Sequence, residues 1–92
     1  MKTAMRATSL DAYQHLQPRL GWAQREVYKL LRSATLWDRD MTNMEIARAL
    51  RWSVNRVTGR TNELVKAGLV KPCRRRRCGV TGHQAIAWRT TK

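Results

Sequence analysis

The side chains with chemistry to offer are basic and amide groups. Asn55 and Arg56 are adjacent, Arg60 follows Arg56 after about one helical turn, and four arginines run unbroken from Arg74 to Arg77. A guanidinium presents a planar fork of N–H donors that matches paired acceptors, whether phosphate oxygens or guanine O6 and N7; a carboxamide matches adenine N6 and N7 in the same way. Nothing comparable points to catalysis. No nucleophile is set beside a base and its orienter, no glycine-rich phosphate loop occurs, and six scattered Asp and Glu residues form no cluster for a catalytic magnesium. The chain reads as a binding protein, not an enzyme, with no cofactor and no small-molecule substrate.

Cys73, Cys78 and His83 have the spacing C-x4-C-x4-H. Tetrahedral zinc needs a fourth ligand, which only the distant His15 could supply, so no metal is expected and the cysteines read as small, partly buried thiols. In a reducing compartment they stay free.

The charge balance narrows the partner. Nineteen basic against six acidic residues give +13, and the excess is uneven: residues 1–50 hold eight basic and five acidic groups, residues 51–92 eleven and one. Such self-repulsion in a small domain is expected to be offset by a polyanion, and it places the contact in the C-terminal half. No apolar run reaches the roughly 20 residues that span a bilayer, and no signal-peptide pattern opens the chain, so the expectation is a cytoplasmic protein without a membrane partner.

These side chains need a scaffold, and 92 residues suffice for one domain. Residues 1–8 lack periodicity and read as a flexible tail, leaving 9–92 as the folded unit. Ser9 caps a short helix from Leu10 to Leu16 that Pro18 stops. Leu20, Ala23, Val27, Leu30, Leu31 and Ala34 recur at helical spacing, so a second helix ends near Ser33 or Ala34, and Thr35 to Met41 form a loop in which Met41 makes a brief strand. Thr42 and Glu45 then make a capping box, with Met41 and Ile46 as its hydrophobic staple, opening a helix from Asn43 to Leu50. Ser53 caps again, with Trp52 and Val57 in the staple positions. The next helix runs from Val54 to about Ala67 and ends at Gly68, a residue suited to the left-handed position after a helix.

That last helix buries Val54, Val57, Thr61, Leu64 and Val65. Its other side carries Asn55, Arg56, Gly59, Asn62, Glu63 and Lys66, with Arg60 on a flank. Gly59 in mid-helix either lets a partner approach the backbone or is simply tolerated. Leu69 and Val70 begin one strand and Gln84 to Arg89 form another, in which Ile86 and Trp88 share one side. Between them Lys71, Pro72, the four arginines and the Thr81–Gly82 pair read as a long, exposed, charged loop over 71–83. Successive arginines alternate in direction, so about two of the four face any one partner.

The phrases Asn43 to Leu50, Trp52, Val54 to Thr58, Val80 to Gly82 and Ile86 to Arg89 together resemble small phage and prophage winged helix-turn-helix proteins. The resemblance covers roughly residues 10 to 90. It implies a mainly α fold with a small β-hairpin: a three-helix core plus wing, with an extra short N-terminal helix. It also implies a transcription regulator in a bacterial host that binds double-stranded DNA, with helix 53–67 in the major groove and the wing on flanking backbone or minor groove. On that reading Asn55, Arg56 and Arg60 contact bases. Thr42, Asn43, Ser53, Asn62, Lys66, Lys71, Arg74, Arg75, Arg76 and Arg77 contact backbone or minor groove, although capping alone accounts for Thr42. A weaker likeness to winged helices that bind left-handed DNA rests on the Asn55–Arg56 pair and fails at Gly59, where those domains need a tyrosine. A protein-interaction winged helix, or an RNA-binding or nonspecific nucleoprotein role, remains the alternative, and both a monomer and a homodimer fit the sequence.

Overall fold

The computed structural model describes residues 20–91. The expected tail, the helix from Leu10 to Leu16 and His15 lie outside them. The elements in order are α1 (Trp22–Leu36), β1 (Met41–Thr42), α2 (Asn43–Leu50), α3 (Val54–Lys66), β2 (Val70–Arg77) and β3 (Gln84–Thr90). Among the described residues three helices pack against one antiparallel three-stranded sheet of order β1-β3-β2, a mixed α/β arrangement with more sheet than the mainly α fold and small hairpin expected.

Gln24 Oε1 accepts from the Gly21 N–H at 2.8 Å and opens α1. The helix continues past Ala34, where the sequence suggested a loop, because the Thr35 hydroxyl bonds back to the Leu31 carbonyl and the Trp37 and Asp38 N–H groups close the last turn on Ala34 and Thr35. The Thr35 hydroxyl also accepts from the Thr90 N–H, tying the end of β3 to the end of α1. At α2 the capping box forms as expected: Thr42 Oγ1 accepts from the Glu45 N–H and Glu45 Oε1 from the Thr42 N–H. Arg51 ends α2 in the left-handed region, φ 61°, a conformation that costs a non-glycine residue roughly 1 kcal/mol. It leaves only residues 51–53 between α2 and α3.

The core is formed by Val27, Tyr28 and Leu31 of α1, Ile46 and Ala47 of α2, Val57 and Leu64 of α3, and Val70 of β2. Thr61 is buried with them, while Val54 and Val65 sit at the border rather than inside. Gly68 takes φ +79° after α3, as its type suggested.

The region from Lys71 to Arg77 departs most from expectation. It is strand throughout, pairing with β3 from Val70 against Thr90 to Arg77 against Gln84, and only residues 78–83 form the turn. The irregularity between Pro72 and Arg74 leaves Cys73 unpaired, exposed in a bulge, while Cys78 is buried rather than half-exposed. The extra residue reverses the alternation. Cross-strand partners share a face, so Arg74 (opposite Ala87) and Arg76 (opposite Ala85) lie on one side, and Arg75 (opposite Ile86) and Arg77 (opposite Gln84) on the other.

Among the described residues no helix is long and apolar enough to cross a membrane.

Candidate nucleic-acid interface

Two residue sets flagged by the sequence, the outer face of α3 and the arginines of β2, are sorted by what the fold has already used. In β2 the acids decide. Asp40 is buried just before β1; its Oδ2 accepts from Arg74 Nε at 2.8 Å and its Oδ1 from Arg76 Nε at 2.9 Å. Glu45 takes both terminal nitrogens of Arg76, at 2.9 and 2.7 Å, and the Gly79 N–H at 2.7 Å. One carboxylate thus caps α2, neutralises Arg76 and holds the β2–β3 turn.

The electrostatics follow from these contacts. The Arg76 hydrogen bond, outweighing burial and helped by the Gly79 and Thr42 N–H groups, holds Glu45 down at about 2. Burial pushes Asp40 up, but the hydrogen bonds from Arg74 and Arg76 together overcome it and leave the carboxyl below its ordinary value. Arg76 is correspondingly raised, first by Glu45. Its side chain is 22% exposed against 63% for Arg74, so Arg76 is an internal brace and Arg74 a partly committed one. Neither is the free backbone contact expected from a loop. Arg75 and Arg77 are exposed and make no ion pair with a described residue; Lys71 is also exposed, but it pairs across the sheet with Arg89 and so lies on the face of Arg74 and Arg76.

Thr42 is also corrected. It is fully buried, and its hydroxyl is engaged by the Glu45 N–H and by Cys78 Sγ at 3.0 Å, so it cannot reach a phosphate. Burial pushes the Cys78 thiol up, but the Thr42 hydroxyl and the Thr81 and Val80 N–H groups hold it below its ordinary value. Asn43 is half-buried and spent internally: its Oδ1 accepts from the Thr61 hydroxyl at 2.9 Å and its amide reaches Thr58 Oγ1 at 3.5 Å, joining α2 to α3. Among the described residues no three of His, Cys, Asp and Glu come together as metal ligands would.

On α3 the Ser53 hydroxyl accepts from the Arg56 N–H at 3.3 Å and fixes the start of the helix. Asn55, Asn62 and Lys66 are exposed, and neither asparagine side chain bonds to another described residue. Arg60 differs from the free base reader expected: Nε and Nη2 each donate to Glu63 at 2.8 Å. Glu63 also accepts from the Gln24 amide. The hydrogen bond raises Arg60 and lowers Glu63. The outer edge of that guanidinium, Nη1 with one Nη2 hydrogen, stays unused.

Arg56 is exposed but held. Its guanidinium carbon lies 4.0 Å from the centroid of the Trp52 ring and 5.8 Å from that of Trp22. The stack was missed in the sequence. Trp52 precedes the Ser53 cap of α3, so helical phase did not set it beside Arg56, and Trp22, thirty residues earlier, gave no signal either. Around Gly59 the helix surface is open, with nothing within 4 Å of where a Cβ would sit.

No family model and no curated protein matches this chain. What the site can do therefore rests on its own geometry. An exposed amide, a stacked guanidinium and an open backbone share the outer side of one helix, and two guanidinia without an ion-pair partner among the described residues share the outer face of one hairpin.

Proposed function

We propose that this protein is a winged helix-turn-helix regulator of transcription that binds double-stranded DNA in a sequence-specific way, with no catalytic role. The order α1-β1-α2-α3-β2-β3, with β3 between β1 and β2, suits that architecture: α2 and α3 form the helix-turn-helix and β2–β3 the wing. In this reading α3 lies in the major groove, Asn55 and Arg56 contact base edges, and the free edge of Arg60 adds a third contact. Ser53, Asn62 and Lys66 meet the flanking backbone. Arg75 and Arg77 carry the wing's share of phosphate or minor-groove contact, and Arg74 and Arg76 hold the wing in place.

The observation that carries the proposal is the selective neutralisation of the basic groups. Asp40, Glu45 and Glu63 engage Arg74, Arg76 and Arg60, while Asn55, Arg75 and Arg77 are left exposed without internal partners among the described residues. Unpaired, like-charged guanidinia on a domain of this charge favour a polyanion. The likeness to small phage and prophage regulators supports the cellular role.

The test is selection of bound duplexes from a random pool, followed by titration of the enriched duplex and a random one at several salt concentrations. Enrichment of a motif and tighter binding to it support the reading. Equal affinity for both duplexes, or preference for structured RNA, whose deep, narrow major groove does not admit a helix, overturns it.

A further inference from the structure

Trp22 stands out as a large aromatic side chain, 57% exposed, at the first position of α1. It covers no core. Its ring meets that of Trp52 at 5.6 Å between centroids and 43° between planes, and the Arg56 guanidinium lies over both. Three elements converge here: the start of α1, the turn between α2 and α3, and the first turn of α3. Trp52 is itself anchored, since its backbone N–H donates to the Ala47 carbonyl at 2.9 Å and its ring borders the core.

A long basic side chain ordinarily samples many rotamers, and fixing it on binding costs free energy. Stacked on an indole, a guanidinium loses that freedom in the free protein, while its N–H donors, which lie in the plane of the group, stay available at its rim. We infer that the Trp22–Trp52 pair presets Arg56 to read one guanine in the recognised duplex, so that both tryptophans are positioning residues for base specificity. The inference rests on the proposed reading of α3 as the base-contacting helix. It adds residues outside that helix and names the base: of the four, guanine offers the two adjacent major-groove acceptors that match a guanidinium fork.

The experiment has one arm without DNA. In the free protein the Arg56 Nε–H proton resonance of wild type is expected upfield of other arginines because it lies over ring faces, and Trp22→Ala and Trp52→Leu should move it back. An unshifted wild-type resonance overturns the stack. The second arm uses the duplex most enriched from a random pool and copies in which each G·C pair is changed in turn to A·T. Trp22→Ala should weaken the enriched duplex roughly threefold and Trp52→Leu roughly fivefold, in line with cation–π strengths at exposed sites. Trp52→Phe, which keeps a ring face, should recover most of the loss. Neither alanine nor leucine variant should change affinity for the copy that lacks the guanine read by Arg56, and neither should matter in an Arg56→Ala background.

Because Trp52 borders the core, its variants are compared only after circular dichroism shows them folded; exposed Trp22 keeps the test decisive if they are not. Equal losses with and without Arg56 would reduce the tryptophans to scaffolding and overturn the inference. Tighter binding by Trp22→Ala would mean the stack parks Arg56 away from DNA, and would also overturn it. If wild type discriminates among no duplexes while the resonance shift is intact, the proposed function itself has failed.

Discussion

Replacing Glu45 by Gln removes the charge on which the wing, the α2 cap and Arg76 all converge. The Arg76 hydrogen bond and the two backbone N–H groups take this carboxyl from 4.5 down to about 2. At about 1.4 kcal/mol per unit, that shift amounts to about 3 kcal/mol of folding free energy. The side chain is 17% exposed, and solvent screening trims the figure to about 2 kcal/mol. Since the folded protein holds this group below its unfolded value, the stabilisation is complete above about 4.5 and most of it is gone when the pH has fallen to about 2. Urea titrations of wild type and Glu45→Gln between pH 2 and 7 give the answer as a difference, in which the other titrating groups largely cancel. At pH 7 the variant should be less stable by about 2 kcal/mol, and the gap should close on acidification, leaving a residual acid slope from Asp40 in both proteins. Parallel profiles, with the gap unchanged down to pH 2, would refute the account of Glu45 as a charged brace.

Other expectations follow from the same geometry. Gly59→Ala should raise stability by about 0.5–1 kcal/mol in thermal melts, since helix propensity improves and the new methyl meets nothing; a loss of stability would contradict the open surface. Replacing Arg75 and Arg77 together by alanine should flatten the slope of log K against log salt by roughly 2 on any duplex, whereas Arg76→Ala should cost stability first. An unchanged slope in the double variant would remove the wing from the interface. With a thiol reagent under native conditions, Cys73 should react at once and Cys78 only after unfolding, because one is exposed in the bulge and the other buried; equal rates would deny that placement.

The helical part of this fold could be read from the sequence because its signals are local. Thr42, Glu45, Ser53 and Gly68 mark helix ends through contacts within a few residues, and α2 begins and ends where those residues place it. The sheet could not be read as well. Four arginines after a proline carry no strand alternation, and what makes Arg74 and Arg76 tolerable in β2 is a pair of acids more than thirty residues away. The one-residue bulge at Cys73 then decides which arginines meet those acids, and no periodicity announces it. The candidate site divides in the same way. Asn55 and Arg56 were found from helix phase, and the i,i+3 spacing of Arg60 and Glu63 on α3 was a local signal for their pairing, but the commitment of Thr42 to Cys78 and the seating of Arg56 on Trp22 depend on tertiary contacts.

The central claim is that α3 reads sequence in duplex DNA, and fluorescence anisotropy of Asn55→Ala and Arg56→Ala tests it most directly. Each is titrated against the enriched duplex and a random duplex at one salt concentration. The account predicts that each variant loses about 1–3 kcal/mol on the enriched duplex and almost nothing on the random one. Equal losses on both duplexes, or none on either, would contradict it.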